Sequence, residues 1–141
     1  MRTLILASVL ALSTGVAAAQ TYLGQFSANP HAPQSTAAPA QRFAPDSVIN
    51  PMGRYGRPTS AQSATNPFAT DAPELYDSAG RYRGKLSANP YDPDSISNPY
   101  GRYGSRTSPD SVNNPYGAGN PYAPESPTNR FGAGLRIIGK D

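Results

Sequence analysis

Three kinds of side chain in this sequence could do chemistry: a single histidine, nine tyrosines and the aspartates of a recurring Asp-Ser step. A nucleophilic triad needs a histidine oriented by a carboxylate beside a serine in a walled pocket. His31 lies between Pro30 and Ala32 in a Pro/Ala-rich stretch, and no Gly-x-Ser-x-Gly elbow occurs. The expectation is therefore a non-enzymatic protein without catalytic residues. Cysteine is absent, which removes thiolate nucleophiles, thiolate metal sites and disulfide staples together. Copper and zinc sites draw on clustered His, Met or Cys, and beyond residue 19 only His31 and Met52 are of those types. Residues 92–98 (Asp-Pro-Asp-Ser-Ile-Ser-Asn) place oxygen-bearing side chains at alternate positions, as a calcium loop does. Ile96 breaks that pattern, no glycine follows it, and Tyr103 stands where a bidentate glutamate would close the loop. Turn and cap chemistry is the preferred reading of the segment, and neither metal nor cofactor is expected.

Tyrosine leaves more open. Arg-Tyr-Gly occurs at 54–56 and 102–104, with Arg81-Tyr82-Arg83-Gly84 as a variant. Arginine and tyrosine interleaved in this way can stack on nucleobases, on sugar rings or on each other. Nucleic acid is not an expected partner, because a formal net charge of +3 gives little field to hold phosphates. Tyrosine otherwise offers a flat apolar face with a polar tip. Tyr100, Tyr103, Tyr116 and Tyr122, with Arg102, form the candidate interaction surface, facing a protein or glycan of the cell envelope. Tyr22, Tyr76 and Tyr82 are expected to pack a small sheet instead.

The elements that would position these groups are constrained by composition. The chain has 16 Pro and 13 Gly in 141 residues, a low-complexity profile in which proline rules out long helices. Repetition is the informative feature. Residues 22–31 return at 82–91 with six of ten identities, 45–53 return at 109–117 with seven of nine, and 46–56 match 94–104 at eight of eleven. A shorter unit, Asp-Ser-x-x-Asn-Pro-Tyr-Gly, starts at Gln34, Asp46, Gln62, Asp77, Asp94, Asp110 and Glu125. Its Asp or Ser can accept a backbone N–H two or three residues on. Its proline forces the preceding Asn out of the helical region, and Asn-Pro-Tyr-Gly fits a type I turn. Too few apolar residues accompany each unit to stack as a solenoid, so extended, largely solvated segments are expected.

Three windows beyond the leader are long enough without proline for regular pairing: 20–29, 74–89 and 128–141. The middle one reads as a hairpin over 74–87 that turns at Ser78-Ala79-Gly80. Period two places Tyr82, Gly84 and Leu86 on one face, with Arg81, Arg83 and Lys85 outward. The duplicate puts Tyr22, Gly24 and Phe26 together in a candidate strand over 21–27, and 134–139 is a third candidate. The expected fold is mostly irregular or disordered, with Pro/Gly/Asn-rich turn repeats and this small β element. Its sections are a leader (1–19), a weakly repeated first half (20–73), the hairpin (74–89) and a second repeat half with a C-terminal strand (90–141).

The leader is read from Met1-Arg2-Thr3, an apolar run over 4–12 and Ala17-Ala18-Ala19. These match the basic, apolar and small-residue regions of a secretory signal peptide. A nine-residue apolar run is too short to span a bilayer, so cleavage between Ala19 and Gln20 and no stable membrane insertion afterwards are expected. Loss of Arg2 takes the formal charge from +3 to +2.

The string over 87–105, followed by 108–119, resembles a group of small exported bacterial proteins that carry the same Asn-Pro-Tyr-Gly repeats behind a signal peptide. The likeness covers about residues 74–139, and the first half departs from it, with Ala38-Pro39-Ala40 where Asn-Pro-Tyr is expected. The resemblance implies a periplasmic or secreted protein of a Gram-negative cell and brings no catalytic residue or ligand. Together these readings favour an exported protein that presents a repetitive Pro/Tyr/Asn surface. A glycan- or peptidoglycan-binding module and an inhibitor or effector of an envelope enzyme are the alternatives.

Overall fold

Proline removes the ladder donors that a sheet needs, and regular pairing is accordingly confined to the proline-free windows. The computed structural model describes residues 20–140; the segment expected to be a leader, 1–19, and with it the Ala19 side of the expected cleavage, lies outside them. Four strands form one antiparallel sheet: β1 (Gln20–Phe26), β2 (Glu74–Tyr76), β3 (Tyr82–Lys85) and β4 (Leu135–Lys140), in the order β1-β4-β2-β3. One short 3₁₀ turn, Pro39–Arg42, is the only other regular element among the described residues. The expected strands thus appear displaced by one residue, and the hairpin turns where anticipated. There the Gly80 amide donates to the Asp77 carbonyl at 3.0 Å, and Asp77 Oδ1 accepts the Ala79 and Arg81 amides at 3.0 and 2.9 Å. Gly80 supplies the left-handed φ of +84° that closes the turn.

The sheet has an internal two-fold. Leu75 of β2 pairs with Ile137 of β4, both fully buried, and around them Glu74 pairs with Ile138 and Tyr76 with Arg136. Exchanging β2 with β4 and β1 with β3 carries both β2–β3 pairs onto β1–β4 pairs. Gln25↔Arg136 matches Lys85↔Glu74, and Tyr22↔Ile138 matches Tyr82↔Tyr76. Each outer strand is then bridged in parallel by the first turn unit after it, Gln25 to Ser35 and Lys85 to Ser95. Residues 20–76 and 82–140 are therefore two copies of one strand–turns–strand path.

Between the strands the chain is not the extended, solvated segment expected from its composition. Backbone N–H groups donate to the carbonyl three residues earlier, and the corners fall on every third residue, from Asn29 through Ala32, Ser35, Ala38, Gln41, Ala44, Ser47 and Asn50 to Gly53. The same stepping runs from Ser108 through Ser111, Asn114, Gly117, Asn120, Ala123 and Ser126 to Asn129. The corner residues face inward and are mostly small; proline commonly takes the next place, where its fixed φ suits the turn and its missing donor is not needed. Six of the seven unit serines (Ser35, Ser47, Ser63, Ser95, Ser111 and Ser126) are 0–3 % exposed. Each accepts the amide two residues on, as at Ser95, where the Ser97 amide donates at 2.9 Å and Ser95 Oγ donates to the Ser87 carbonyl at 3.0 Å. The segments are folded because hydroxyl and amide side chains satisfy the interior where apolar side chains are scarce. Ser78, the seventh, sits exposed in the hairpin turn.

A small apolar core of Leu23, Val48, Tyr55, Leu75, Val112, Leu135 and Ile137 lies between sheet and turns. Strict period two fails on both outer strands. Gly24 and Gly84 have φ of +114° and +101°, and the β1 register shifts between Tyr22 and Gly24. This bulge re-phases the strand, so Leu23 is buried and Tyr22 half exposed, and Arg83 lies partly inward rather than facing solvent.

Candidate functional site

Asparagine at a corner does two jobs. Its Oδ1 accepts the amide two residues on, and its Nδ2 reaches back to a carbonyl. For Asn98 these are the Tyr100 amide at 2.9 Å and the Asp92 carbonyl at 3.1 Å. Asn50, Asn66, Asn114 and Asn129 repeat both bonds at the same spacing, and Asn29, Asn89 and Asn120 repeat the first. With the asparagine and proline so fixed, the third residue of each turn can only point outward. That residue is His31, Met52, Phe68, Tyr91, Tyr100, Tyr116, Tyr122 or Phe131, and the seven other than His31 are 78–95 % exposed.

Three of these turns adjoin. Pro67, Phe68, Asn89, Pro90 and Tyr91 line a groove of about 600 Å³, and Pro90, Tyr91, Asn98, Pro99 and Tyr100 line the next, of about 460 Å³. Pro90 and Tyr91 are the ridge common to both. No charged side chain lines either groove. The amides of Phe68, Tyr91 and Tyr100 are already bonded to asparagine side chains. A ligand here would meet ring faces, proline edges and side-chain amides rather than open backbone donors.

The candidate residues separate. Tyr100 lines the second groove; Tyr116 and Tyr122 stand exposed on equivalent turns outside both grooves. Tyr103 is a correction: it is 6 % exposed and belongs to the interior, edge-on to Tyr82 with ring centroids 5.6 Å apart. Gly84 explains why, since a Cβ there would lie 2.7 Å from Tyr103 Cβ and Cγ. Arg102 is exposed, 2.7 Å from Asp110 through Nε, with its guanidinium carbon 5.3 Å from the centre of the Tyr103 ring. Gln20 opens β1. Phe68, Tyr91 and Phe131 lie outside the expected surface because two are not tyrosines and none stands in an Asn-Pro-Tyr-Gly or Arg-Tyr-Gly string; the residue after each Asn-Pro, or Asn-Arg at 129–130, is the signal that finds them.

The acidic groups of the would-be calcium loop have other work. Asp92 bonds Lys85 at 3.1 Å and accepts the Asp94 amide at 2.9 Å, while Asp94 accepts the Tyr82 hydroxyl at 3.2 Å. Burial and the Asp94 carboxylate push the Tyr82 phenol upward. Burial and the Glu74 carboxylate push Tyr76 up to about 12. Asp77 would be raised by burial, but the Arg81 amide and guanidinium and the Ala79 amide overcome this and hold it below the usual carboxylate range.

Comparison with known protein families, curated protein sequences and solved structures finds no match. Among the described residues no helix is long and apolar enough to cross a membrane.

Proposed function

We propose that this is a non-enzymatic exported protein, periplasmic or secreted, that binds an envelope partner through its outward-facing Asn-Pro-aromatic turns. The observation that carries this reading is the repeated geometry: eight turns present the residue after proline or Arg130 to solvent, and three of them build two adjoining neutral grooves. Exposed aromatics set in clefts are the side chains that dominate protein recognition. The main-chain role of the unit serines, whose hydroxyls hold backbone amides, supports a scaffold rather than a nucleophile.

The test is a pull-down from envelope extracts with wild type and the Tyr91→Ala/Tyr100→Ala double variant. The variant should fold with stability changed by less than about 0.5 kcal/mol per site, since both rings are exposed. It should lose more than about tenfold in recovery of a specific partner; equal recovery by the two proteins would sink the reading. The absence of charge in both grooves also favours a second reading, a neutral glycan stacked on the rings. Retention on insoluble peptidoglycan or a glycan array, weakened by the same double variant, distinguishes it.

A further inference from the structure

The internal two-fold makes each half a template for the other, and two tyrosines break the correspondence. In the first half Tyr55 is buried, and a Cβ added to Gly139 would lie 2.7 Å from both Tyr55 Cε1 and Leu23 Cδ1. The ring thus fills the space between β1, β4 and the turns. Thr65 Oγ1 donates to the carbonyl of the next residue, Gly56, at 2.8 Å, and Thr128 Oγ1 donates to the Gly119 carbonyl at 2.7 Å. These paired bonds make Ala118 the counterpart of Tyr55. The sheet register likewise makes Arg83 the counterpart of Leu23 and Asp77 that of Gly139. Ala118, Arg83 and Asp77 together line an open pocket of about 260 Å³; Leu135 and Pro124 add apolar wall, and Arg81 and Glu125 add charged groups.

We propose that this pocket binds a free small molecule bearing a single phenolic ring. The apolar floor of Leu135, Pro124 and Ala118 is the surface that a ring requires. Arg83 stands where the first half has Leu23, which shares the core with Tyr55, and its guanidinium lies 3.8 Å from Asp110, leaving donors for a ring face or hydroxyl. Glu125 also lines the pocket; its Oε1 accepts the Ser78 amide at 2.9 Å and its Oε2 accepts the Ser78 hydroxyl, so its carboxylate is held in place with lone pairs left for a phenolic hydroxyl. An open pocket of this volume holds one substituted ring with space to spare, which suits a small molecule.

The probe is 4-methylphenol, the tyrosine side chain itself, titrated into the purified protein and followed by amide chemical shifts. Saturable shifts at Arg83, Ala118 and Leu135, with ring-to-methyl nuclear Overhauser contacts to Leu135, are expected. Ala118→Tyr should fill the pocket and weaken this binding by about tenfold or more. Arg83→Leu, which restores the first-half residue, should leave the floor intact and weaken it less. Three results would overturn the assignment: shifts that stay linear in the wild type, shifts confined to Phe68, Tyr91 and Tyr100, or undiminished binding in a folded Ala118→Tyr protein. Self-association dissolved by 4-methylphenol would also overturn it, because a tyrosine of a second copy would then occupy the pocket.

Discussion

On the β1 side of the sheet, Leu23, Tyr55 and Gly139 close on one another; on the β3 side the same three places hold Arg83, Ala118 and Asp77, and a pocket opens. The reverse holds one unit earlier. Tyr103 packs on Gly84 in the second half, whereas at the equivalent Gly24 only Gln34 closes over the strand, and a pocket of about 230 Å³ bordered by Tyr22, Leu23, Gln34 and Asp46 lies on that side. The backbone path is nonetheless common to both halves. Its shape is therefore set by what they share, the corner serines, asparagines and glycines, and the large side chains are free to differ. In a domain of ordinary composition the core fixes the path and the turns vary.

The largest expected effect lies where the halves meet. Leu75→Ala and Ile137→Ala each remove a fully buried side chain at the two-fold and should cost about 2–5 kcal/mol in urea unfolding. The two costs should be similar, and the double variant should fall short of their sum because the residues pair directly. Markedly unequal costs would break the equivalence of the halves. Next come the corner glycines: a Cβ on Gly56 or Gly104 would strike the carbonyl of Asn50 or Asn98. Alanine at either position should cost about 1–3 kcal/mol, measured the same way.

The smallest effect sharpens the contrast through pH. Tyr76 and Asp77 titrate, whereas their counterparts Ile138 and Gly139 do not. Asp77 is held below its unfolded value of about 3.9, so its contribution is complete above that pH and fades as pH falls through the lower folded value. Tyr76 is raised to about 12, so its contribution is complete below the unfolded value of about 10 and fades between the two. Asp77→Asn should flatten the acid limb of a thermal-melt profile and Tyr76→Phe the alkaline limb. Unchanged limbs would detach these shifts from stability.

The hairpin was readable because its signals are local: a proline-free window and Gly80 at the turn. The turn-forming character of Asp-Ser and Asn-Pro-Tyr-Gly was readable for the same reason. Burial of the serines was not, since a hydroxyl enters the interior only when a particular carbonyl such as that of Ser87 is brought to it. The inward turn of Leu23 depends on a bulge at a glycine with positive φ, and nothing in its neighbours' polarity announces it. Tyr103 was misplaced because Arg-Tyr-Gly reads as a loop motif, and only the hollow over Gly84 turns its ring inward. The stepping of small corner residues by three is written in the sequence, but the longer unit of about sixteen residues overlies it.

β1 and β4 pair along their whole lengths, with Gln20 opposite Lys140, in the place that mirrors the β2–β3 hairpin. Linking those two ends and opening the chain at Gly80 would give a circular permutant with the same contacts.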